Sequence, residues 1–200
     1  MPNVRLAIVY YSTYGTNHRM AEVASNAARD AGADVRLRKA PETAPDAIVN
    51  GQDAWRAHAE RTAHVQPATL DDLEWANAYM ISGPTRYGAV ASQLRAFLDQ
   101  TGPLWAAGKL ANKAASAMAS AQNVHGGQEM TVQSLNATFA HWGCVIVPPG
   151  YTDPSTYAAG GNPYGVTVTA NGQAIPDAVQ EAIRHQTRRL VHFAARIAEE

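Results

Sequence analysis

Residues 5–17 read Arg-Leu-Ala-Ile-Val-Tyr-Tyr-Ser-Thr-Tyr-Gly-Thr-Asn. The apolar first half predicts a buried strand, and the pattern that begins near His18 predicts a helix directly after the turn. A turn rich in hydroxyl and amide groups that opens a helix offers several backbone N–H donors to one anion. The turn therefore predicts a phosphate site, made of Ser12, Thr13, Tyr14, Gly15, Thr16 and Asn17.

The chain contains neither of the two best-known phosphate motifs, G-x-x-x-x-G-K-[ST] and G-x-G-x-x-G. A mononucleotide phosphate held without a lysine points to flavin mononucleotide (FMN) rather than to ATP or NAD. The same residue types also suit an ordinary strand-to-helix turn in which Thr16 or Asn17 is the N-cap. The turn alone leaves both interpretations open.

The composition argues against several classes of partner. The 200 residues carry a formal net charge of −1, so no overall field attracts nucleic acid or anionic lipid. The single cysteine, Cys144, lies in an apolar stretch and is expected to be a small buried hydrophobe. No signal-peptide pattern and no apolar run long enough to span a membrane is present. We therefore expect a cytoplasmic protein that binds neither nucleic acid nor membranes.

The remaining apolar patterns predict alternating strands and helices. They predict helices over about 17–31, 90–98, 128–141 and 176–198, and strands near 35–37, 76–82, 114–119 and 144–147. Two stretches break the rhythm: an insertion or active-site loop at about 41–70, with room for a short helix, and a long loop at 149–173. We expect one α/β domain over residues 1–200, flavodoxin-like, with a doubly wound five-stranded parallel sheet and helices on both faces.

Ligands of such a sheet bind at the carboxyl ends of the strands, beside the switch in strand order. The turns after the first, third and fourth strands are all polar, and this topology brings them to one edge. The second of these turns contains Pro84, Thr85, Arg86, Tyr87 and Gly88. Arg86 would offset negative charge at the N1–C2=O end of a flavin, and Tyr87 would lie against a ring face. The alternative is a connecting loop with a surface arginine.

Two further residues have both structural and functional interpretations. Trp105 lies in a predicted loop, where a tryptophan usually contributes to a core or an interface. His141, at the end of a predicted helix, fits a structural role and equally a contact with flavin or a substrate oxygen. His185 and His192 lack the i, i+4 spacing of a metal pair, so we predict no metal site.

The turns belong to a longer series of motifs that runs in order along essentially the whole chain. It comprises Ser-x-Tyr-Gly-Thr at 12–16, Gly-Pro-Thr-Arg-Tyr-Gly at 83–88, Phe-Leu-Asp-Gln-Thr-Gly at 97–102, Gly-Gly-Gln-Glu at 126–129 and Gly-Gly-Asn-Pro-Tyr-Gly at 160–165. The series resembles the WrbA family of flavodoxin-like NAD(P)H:quinone oxidoreductases. The resemblance implies FMN as cofactor, NADH or NADPH as co-substrate, a quinone as substrate and a homotetramer.

The resemblance also implies roles for individual residues. It puts the phosphate on residues 12–17 and the flavin ring against Thr85, Arg86 and Tyr87. It extends the flavin contacts to a third group, which is Ala121, Gln122, Asn123, Val124, His125, Gly126 and His141. Tyr14, Trp105 and His141 would border the pocket for nicotinamide and quinone as its catalytic residues, with Trp105 supplied by a neighbouring subunit.

Two stretches depart from the family pattern. Residues 121–126 replace a loop of the Thr-Gly-Thr-Gly-Gly type, so backbone contacts are expected there rather than particular side-chain contacts. Thr16, Asn17 and His18 replace bulkier and less polar residues, and are expected to add hydroxyl and amide donors to the phosphate.

The implied reaction transfers two electrons. A hydride passes from NAD(P)H to flavin N5, the oxidised nicotinamide leaves, and a quinone takes the same place, which predicts ping-pong kinetics with His141 as a candidate proton source. The alternative is a flavodoxin-type one-electron carrier without NAD(P)H oxidation of its own, which the near-neutral charge and the two long insertions disfavour. A non-enzymatic interaction protein is a further alternative, and neither the charge nor the motifs support it.

Overall fold

The computed structural model describes residues 3–172 and 174–198, and a seven-stranded sheet forms its centre. The strands are β1 (Arg5–Tyr10), β2 (Asp34–Lys39), β3 (Ala78–Arg86), β4 (Ala89–Val90), β5 (Ala114–Ala121), β6 (Val145–Ile146) and β7 (Thr167–Thr169). The helices are α1 (Thr16–Asp30), α2 (Asp46–Asn50), α3 (Asp53–Arg61), α4 (Leu70–Trp75), α5 (Ser92–Asp99), α6 (Gly102–Ala106), α7 (Gln128–Trp142), α8 (Pro154–Ala158) and α9 (Asp177–Ile197).

The strand order confirms the predicted flavodoxin-like, doubly wound sheet. Five parallel strands lie in the order β2-β1-β3-β5-β6. The chain moves outward from β1 to β2 and then crosses back to β3, so the switch in strand order lies between β1 and β3. Two short strands are additional: β4 pairs antiparallel with the end of β3, and β7 pairs parallel with the end of β5.

Alternate residues of the central strands enter two separate cores, as the period of two in a strand requires. In β1, Leu6 and Ile8 enter a core closed by α1 and α9, whereas Ala7 and Val9 enter a core closed by α5 and α7. Helices therefore cover both faces of the sheet, as predicted. Among the described residues, no helix is both long and apolar enough to cross a membrane.

Strand β3 is longer than the sequence predicts. Gly83 and Pro84 indicated an end near Ser82, but the strand continues to Arg86 and turns into a hairpin with β4. Pro84 has no N–H to donate to a neighbouring strand. Its carbonyl still accepts the Ala91 N–H at 3.1 Å, which joins the end of β3 to the chain directly after β4. The predicted loop is therefore a hydrogen-bonded hairpin.

The strand position beyond β5, at the edge of the sheet, is interrupted. β6 pairs with the first part of β5 and β7 with its last part, and residues 148–165 leave the sheet between them. The prediction of a continuous loop over 149–173 is therefore wrong, because this stretch contains α8 and β7. Its last residue, Gln173, lies outside the described residues.

The insertion at 41–70 contains two short helices, α2 and α3, in place of the single short helix that was expected. Trp105 lies in the short helix α6 and not in a loop. That residues 1–200 form one domain stays a prediction, since residues 1, 2, 173, 199 and 200 lie outside the described part of the chain.

Candidate functional site

The turn after β1, residues 11–15, leads directly into the N-terminus of α1. We call it the phosphate turn, because the sequence predicts a phosphate there. The Gly15 N–H donates to the Ser12 hydroxyl at 2.9 Å, which closes the turn directly before the helix. Gly15 has a φ of 101°, a left-handed conformation that favours glycine. Within the described chain no side chain caps this helix, and its first turn carries no acidic residue. The positive end of a 15-residue helix is therefore suited to an anion.

Asn17 holds the start of α1 against the sheet. Its side-chain amide donates to Ser120 Oγ at 2.7 Å, and its side-chain oxygen accepts from Ser82 Oγ at 3.0 Å. The residue is 1 % exposed. The sequence predicts this amide as an additional donor to a phosphate, but its hydrogen-bonding groups are engaged with Ser82 on β3 and Ser120 on β5. A contribution of Asn17 to phosphate binding would therefore come from its backbone N–H.

The hairpin of β3 and β4 presents the residues that were predicted to face a flavin ring. Tyr87 and Gly88 form its two-residue turn, and their φ values of 51° and 80° are those of a mirror-image hairpin turn. The Tyr87 side chain is fully exposed, whereas Thr85 is buried behind it. The Arg86 guanidinium reaches the phosphate turn and donates to Thr13 Oγ1 at 2.9 Å. No local sequence pattern predicts this link.

The loop after β5 lies against the same hairpin. Four of its side chains are exposed, namely those of Gln122, Asn123, Val124 and His125. The Asn123 carbonyl closes the loop, because it accepts the Gly126 N–H at 3.0 Å and the Gln128 side-chain amide at 2.8 Å. A Cβ on Gly127 would lie 3.0 Å from the Gly88 Cα, so the loop and the hairpin are in backbone contact.

Residues of the insertion at 41–70 pack against the phosphate turn. No prediction from the sequence included these contacts. The Tyr14 hydroxyl donates to Gln52 Oε1 at 2.6 Å. His58 lies behind Gly15, with its Nδ1 3.3 Å from the position that a Cβ would take. Burial lowers the pKa of His58 to about 4, and the neighbouring His18 adds to this effect. His58 thus fills space behind the turn, and it does so as a neutral ring at pH 7.

A cavity of about 80 Å³ lies between this insertion and the end of β1. Helix α3 and the residue after it line the cavity with Trp55, His58, Ala59 and Thr62. These positions follow the i, i+3, i+4, i+7 spacing of one helix face. That spacing is the signal by which the sequence could have located the helix and its histidine.

Trp105 and His141 are neighbours, but they lie at the opposite edge of the sheet. The Trp105 indole N–H donates to the His141 backbone carbonyl at 2.9 Å, and both residues are exposed. His141 is in the last turn of α7, whose first residue, Gln128, follows the third loop. Fifteen helical residues span about 20 Å. Within one chain, the structure does not bring these two residues to Tyr14.

The geometry fits the phosphate and ring of a mononucleotide. The three loops are in mutual contact, since Arg86 reaches Thr13, Gly127 lies against Gly88, and Asn17 bonds to Ser120. The uncapped start of α1 supplies N–H donors without a competing carboxylate in its first turn. The hairpin adds an exposed guanidinium and an exposed phenol ring beside them.

Comparisons with known proteins agree with this arrangement. The family described as NADPH-dependent FMN reductase matches residues 5–156. A Deinococcus radiodurans protein named NAD(P)H dehydrogenase (quinone) is 55 % identical, and the match covers 97 % of both chains. A protein of the same name from a Chelativorans species is 38 % identical over 96 % of this chain and 98 % of its own length.

The fold also agrees with a solved structure, a WrbA-like flavodoxin protein from Agrobacterium tumefaciens. Its TM-score is 0.68 with 20 % identity, and the match covers 97 % of this chain and 99 % of that one. These comparisons confirm the family resemblance and support FMN as the cofactor that the three loops fit. The chain belongs to the NADPH-dependent FMN reductase family, and within it to the group of the NAD(P)H dehydrogenase (quinone) proteins.

Proposed function

We propose that this protein is a cytoplasmic, FMN-dependent enzyme that reduces quinones to hydroquinones with NADH or NADPH. The observation that carries the proposal is the mutual contact of three loops at the start of α1, in a chain whose full-length relatives are named NAD(P)H dehydrogenase (quinone). The loops supply donors for a phosphate and a charged edge for a ring, which is what a mononucleotide flavin requires.

The phosphate is held by the hydroxyls of the turn and by the first backbone N–H groups of α1. The residues concerned are Ser12, Thr13, Tyr14, Gly15, Thr16 and Asn17. The hairpin residues Thr85, Arg86 and Tyr87 bind the ring, with Pro84 and Gly88 setting the path of the backbone. Residues 121–126 add backbone contacts. When bound, FMN supplies the two-electron chemistry, because it accepts a hydride at N5 and passes two electrons to a quinone.

The nicotinamide and the quinone use one pocket in turn. Tyr14 borders it from the phosphate turn, and its ring is 53 % exposed. Trp105 and His141 border it from neighbouring copies in a homotetramer, because their own chain holds them at the far edge of the sheet. There the Trp105 ring orients the substrate, and His141 donates a proton to the quinone oxygen.

Steady-state kinetics test this proposal. Initial rates are measured with the FMN-loaded protein at several fixed concentrations of NADH while benzoquinone is varied. One pocket that serves two substrates in turn gives parallel lines in double-reciprocal plots. Intersecting lines would contradict the shared pocket.

A second measurement separates the enzyme from a one-electron carrier. NADH and, in a separate experiment, NADPH is added anaerobically to the FMN-loaded protein without any reductase. The proposal predicts rapid bleaching of the flavin absorbance by NADH or by NADPH. Bleaching that requires an added reductase would favour the flavodoxin-type carrier instead.

A further inference from the structure

A guanidinium lies beside the start of α1. Arg19 is in the first turns of this helix, and its backbone N–H donates to the Gly15 carbonyl at 3.0 Å. Its Nη1 lies 3.3 Å from the position that a Cβ on Gly15 would take. The Arg19 residue is half-buried. The charged end of Arg19 therefore turns back towards the N-terminus of the helix that carries it.

The spacing of Gly15 and Arg19 explains this position. Residues four apart in a helix lie on the same face, and long side chains lean towards the N-terminus. Arg19 thus reaches the residue four positions before it, which is the glycine at the N-cap. A Cβ at that position would already be in close contact with the guanidinium. The glycine that forms the left-handed turn therefore also leaves room for the arginine.

A positive charge at this end of a helix is unfavourable by itself. The N–H groups at a helix N-terminus carry a positive partial charge, which favours anions and disfavours cations. Of the described residues in the first turn of α1, none is acidic. Glu22, further along the helix, lies 3.7 Å from His18 Nε2. An anion at the phosphate turn would remove the conflict, because the helix end and the guanidinium would both attract it.

Most of the ionisable groups near the guanidinium are basic. His58 Nδ1 also lies 3.3 Å from the Cβ position of Gly15. Burial lowers the pKa of His58 to about 4 and lowers that of His18 below its usual 6.5, so both rings are neutral at pH 7. The charges of Arg61 and Lys39 contribute to the lowered pKa of His58. These neighbours are therefore neutral or positive at pH 7, which favours an anion at the turn.

We propose that Arg19 binds the phosphate of FMN and selects its dianionic form. This inference rests on the proposed function and adds to it a residue that lies outside the sequence motifs. The backbone N–H groups orient the phosphate, and the guanidinium supplies a full positive charge beside them. A guanidinium stays protonated in proteins. It therefore lowers the second pKa of the bound phosphate, which is about 6 for a phosphate monoester.

Arg19→Gln tests this role, because it removes the charge and keeps a long polar side chain. The apoprotein is titrated with FMN and with riboflavin, and flavin fluorescence reports binding. We expect about tenfold weaker binding of FMN, since a hydrogen bond to a charged group is lost, and an unchanged affinity for riboflavin. Arg19→Lys should retain most of the FMN affinity, because the positive charge remains.

The same helix offers a matched control. Arg29→Gln removes an equal charge from the last turn of α1. The two arginines are separated by about 15 Å along the helix axis, which is beyond the reach of a hydrogen bond to the phosphate. Arg29→Gln should therefore leave both flavin affinities unchanged.

The protonation state of the phosphate is a second readout, which a purely structural role of Arg19 would not change. ³¹P NMR spectra of bound FMN are recorded between pH 5 and 8. In the wild type and in Arg29→Gln, the phosphate should stay dianionic below pH 6. In Arg19→Gln it should take up a proton at a pH about one unit higher than in the wild type.

Inorganic phosphate tests the same residue without a flavin. It should raise the urea midpoint of the wild-type apoprotein and of Arg29→Gln more than that of Arg19→Gln. If Arg19→Gln matches the wild type in FMN affinity and phosphate titration, or loses FMN and riboflavin equally, the role of Arg19 is overturned. Failure of the wild type to bind FMN would instead overturn the proposed function, and the inorganic phosphate result would still decide whether Arg19 binds a phosphate.

Discussion

At the scale of single residues, the site depends most on Gly15. Its φ of 101° lies in the left-handed region. The space that a Cβ would enter is bounded by the Arg19 guanidinium and the His58 imidazole, each 3.3 Å away. The conformation and the close approach both serve to aim the first N–H groups of α1 at a ligand. A side chain at this position therefore acts on the site as well as on the fold.

Gly15→Ala should destabilise the protein by about 1–2 kcal/mol and weaken FMN binding, since the left-handed backbone and the close contacts with the Arg19 and His58 side chains both oppose a methyl group. Gly32→Ala is the matched control. Gly32 also has a positive φ, 84°, but nothing lies within 4 Å of its Cβ position. Urea unfolding and FMN titration measure the two effects. Equal FMN affinities for the two variants would contradict the role of Gly15 in the site.

His58 makes stability depend on pH. Its folded-state pKa of about 4 lies below its unfolded value of 6.5, so the unfolded chain binds more protons between these values. The stability that His58 contributes is complete above pH 6.5 and is lost as the pH falls towards 4.

Between pH 6.5 and 4.5, the free energy of unfolding of the wild type should fall by about 1–2 kcal/mol more than that of His58→Gln. His192→Gln, at an exposed position on α9, should follow the wild type. Urea unfolding across this pH range provides the measurement. If His58→Gln and the wild type have the same pH slope, His58 is not buried as a neutral ring.

At the scale of elements, one glutamine of α9 stabilises the return of the chain to the sheet at β7, beside β5. The Gln186 side-chain amide donates to Ser116 Oγ at 2.7 Å and to the Ala117 carbonyl at 2.9 Å. Its oxygen accepts the Val166 N–H at 2.7 Å, directly before β7. Gln186 is fully buried. It therefore satisfies backbone and hydroxyl groups where the chain returns to the sheet.

Gln186→Leu should destabilise the protein by about 2–4 kcal/mol, because the Val166 N–H and the Ala117 carbonyl lose a buried partner. Thr187→Val is the control, since Thr187 is equally buried but, among the described residues, its hydroxyl bonds only to a carbonyl of its own helix. The control should cost less than about 1 kcal/mol. Thermal unfolding of both variants checks the difference, and similar midpoints would mean that Gln186 does not hold the strand together.

The elements that the sequence predicted correctly are those with a strong local pattern. The apolar run of β1 and the spacing of Met20 and Ala24 in α1 are determined by neighbours in the chain. The extension of β3 through Pro84 and the return of β7 are determined by distant partners instead. Gly165 is an example: a Cβ there would collide with the Ala117 carbonyl oxygen, and no local pattern reveals that approach.

The site was predictable to a similar extent. The polar turns and the parallel topology located the three loops at one edge, because carboxyl ends of parallel strands share an edge. The sequence could not reveal that Arg86 bonds to Thr13, that Tyr11 bonds to Glu42, or that His58 lies behind Gly15. These contacts join segments that are far apart in the chain, and none of them follows a short-range spacing rule.

At the scale of the whole molecule, the proposed catalytic and flavin-binding residues lie at two edges of the sheet. Tyr14 and Arg86 belong to the carboxyl edge, whereas Trp105 and His141 belong to the opposite edge. Trp105 is 57 % exposed and is therefore accessible to another copy. One chain cannot complete the proposed pocket, and closed symmetric association is the usual way in which copies share a site.

Subunit mixing tests this arrangement. Arg86→Ala and Trp105→Ala should each be nearly inactive in quinone reduction at saturating FMN. When the two variants are mixed, dissociated and reassembled in equal amounts, about a quarter of the sites should contain both native residues, and activity should return to that level. The wild type treated in the same way is the control. Mixed assemblies that stay inactive would contradict a site shared between copies.

The proposed function depends most on the binding of the FMN phosphate by the phosphate turn. A comparison of two flavins tests that binding directly. The apoprotein is titrated with FMN and with riboflavin, which differ only in the phosphate, and quenching of flavin fluorescence reports binding. FMN should bind at least about 100-fold more tightly, because the turn and the start of α1 hold the phosphate through charge-assisted hydrogen bonds. Equal affinity for the two flavins, or no binding of FMN, would contradict it.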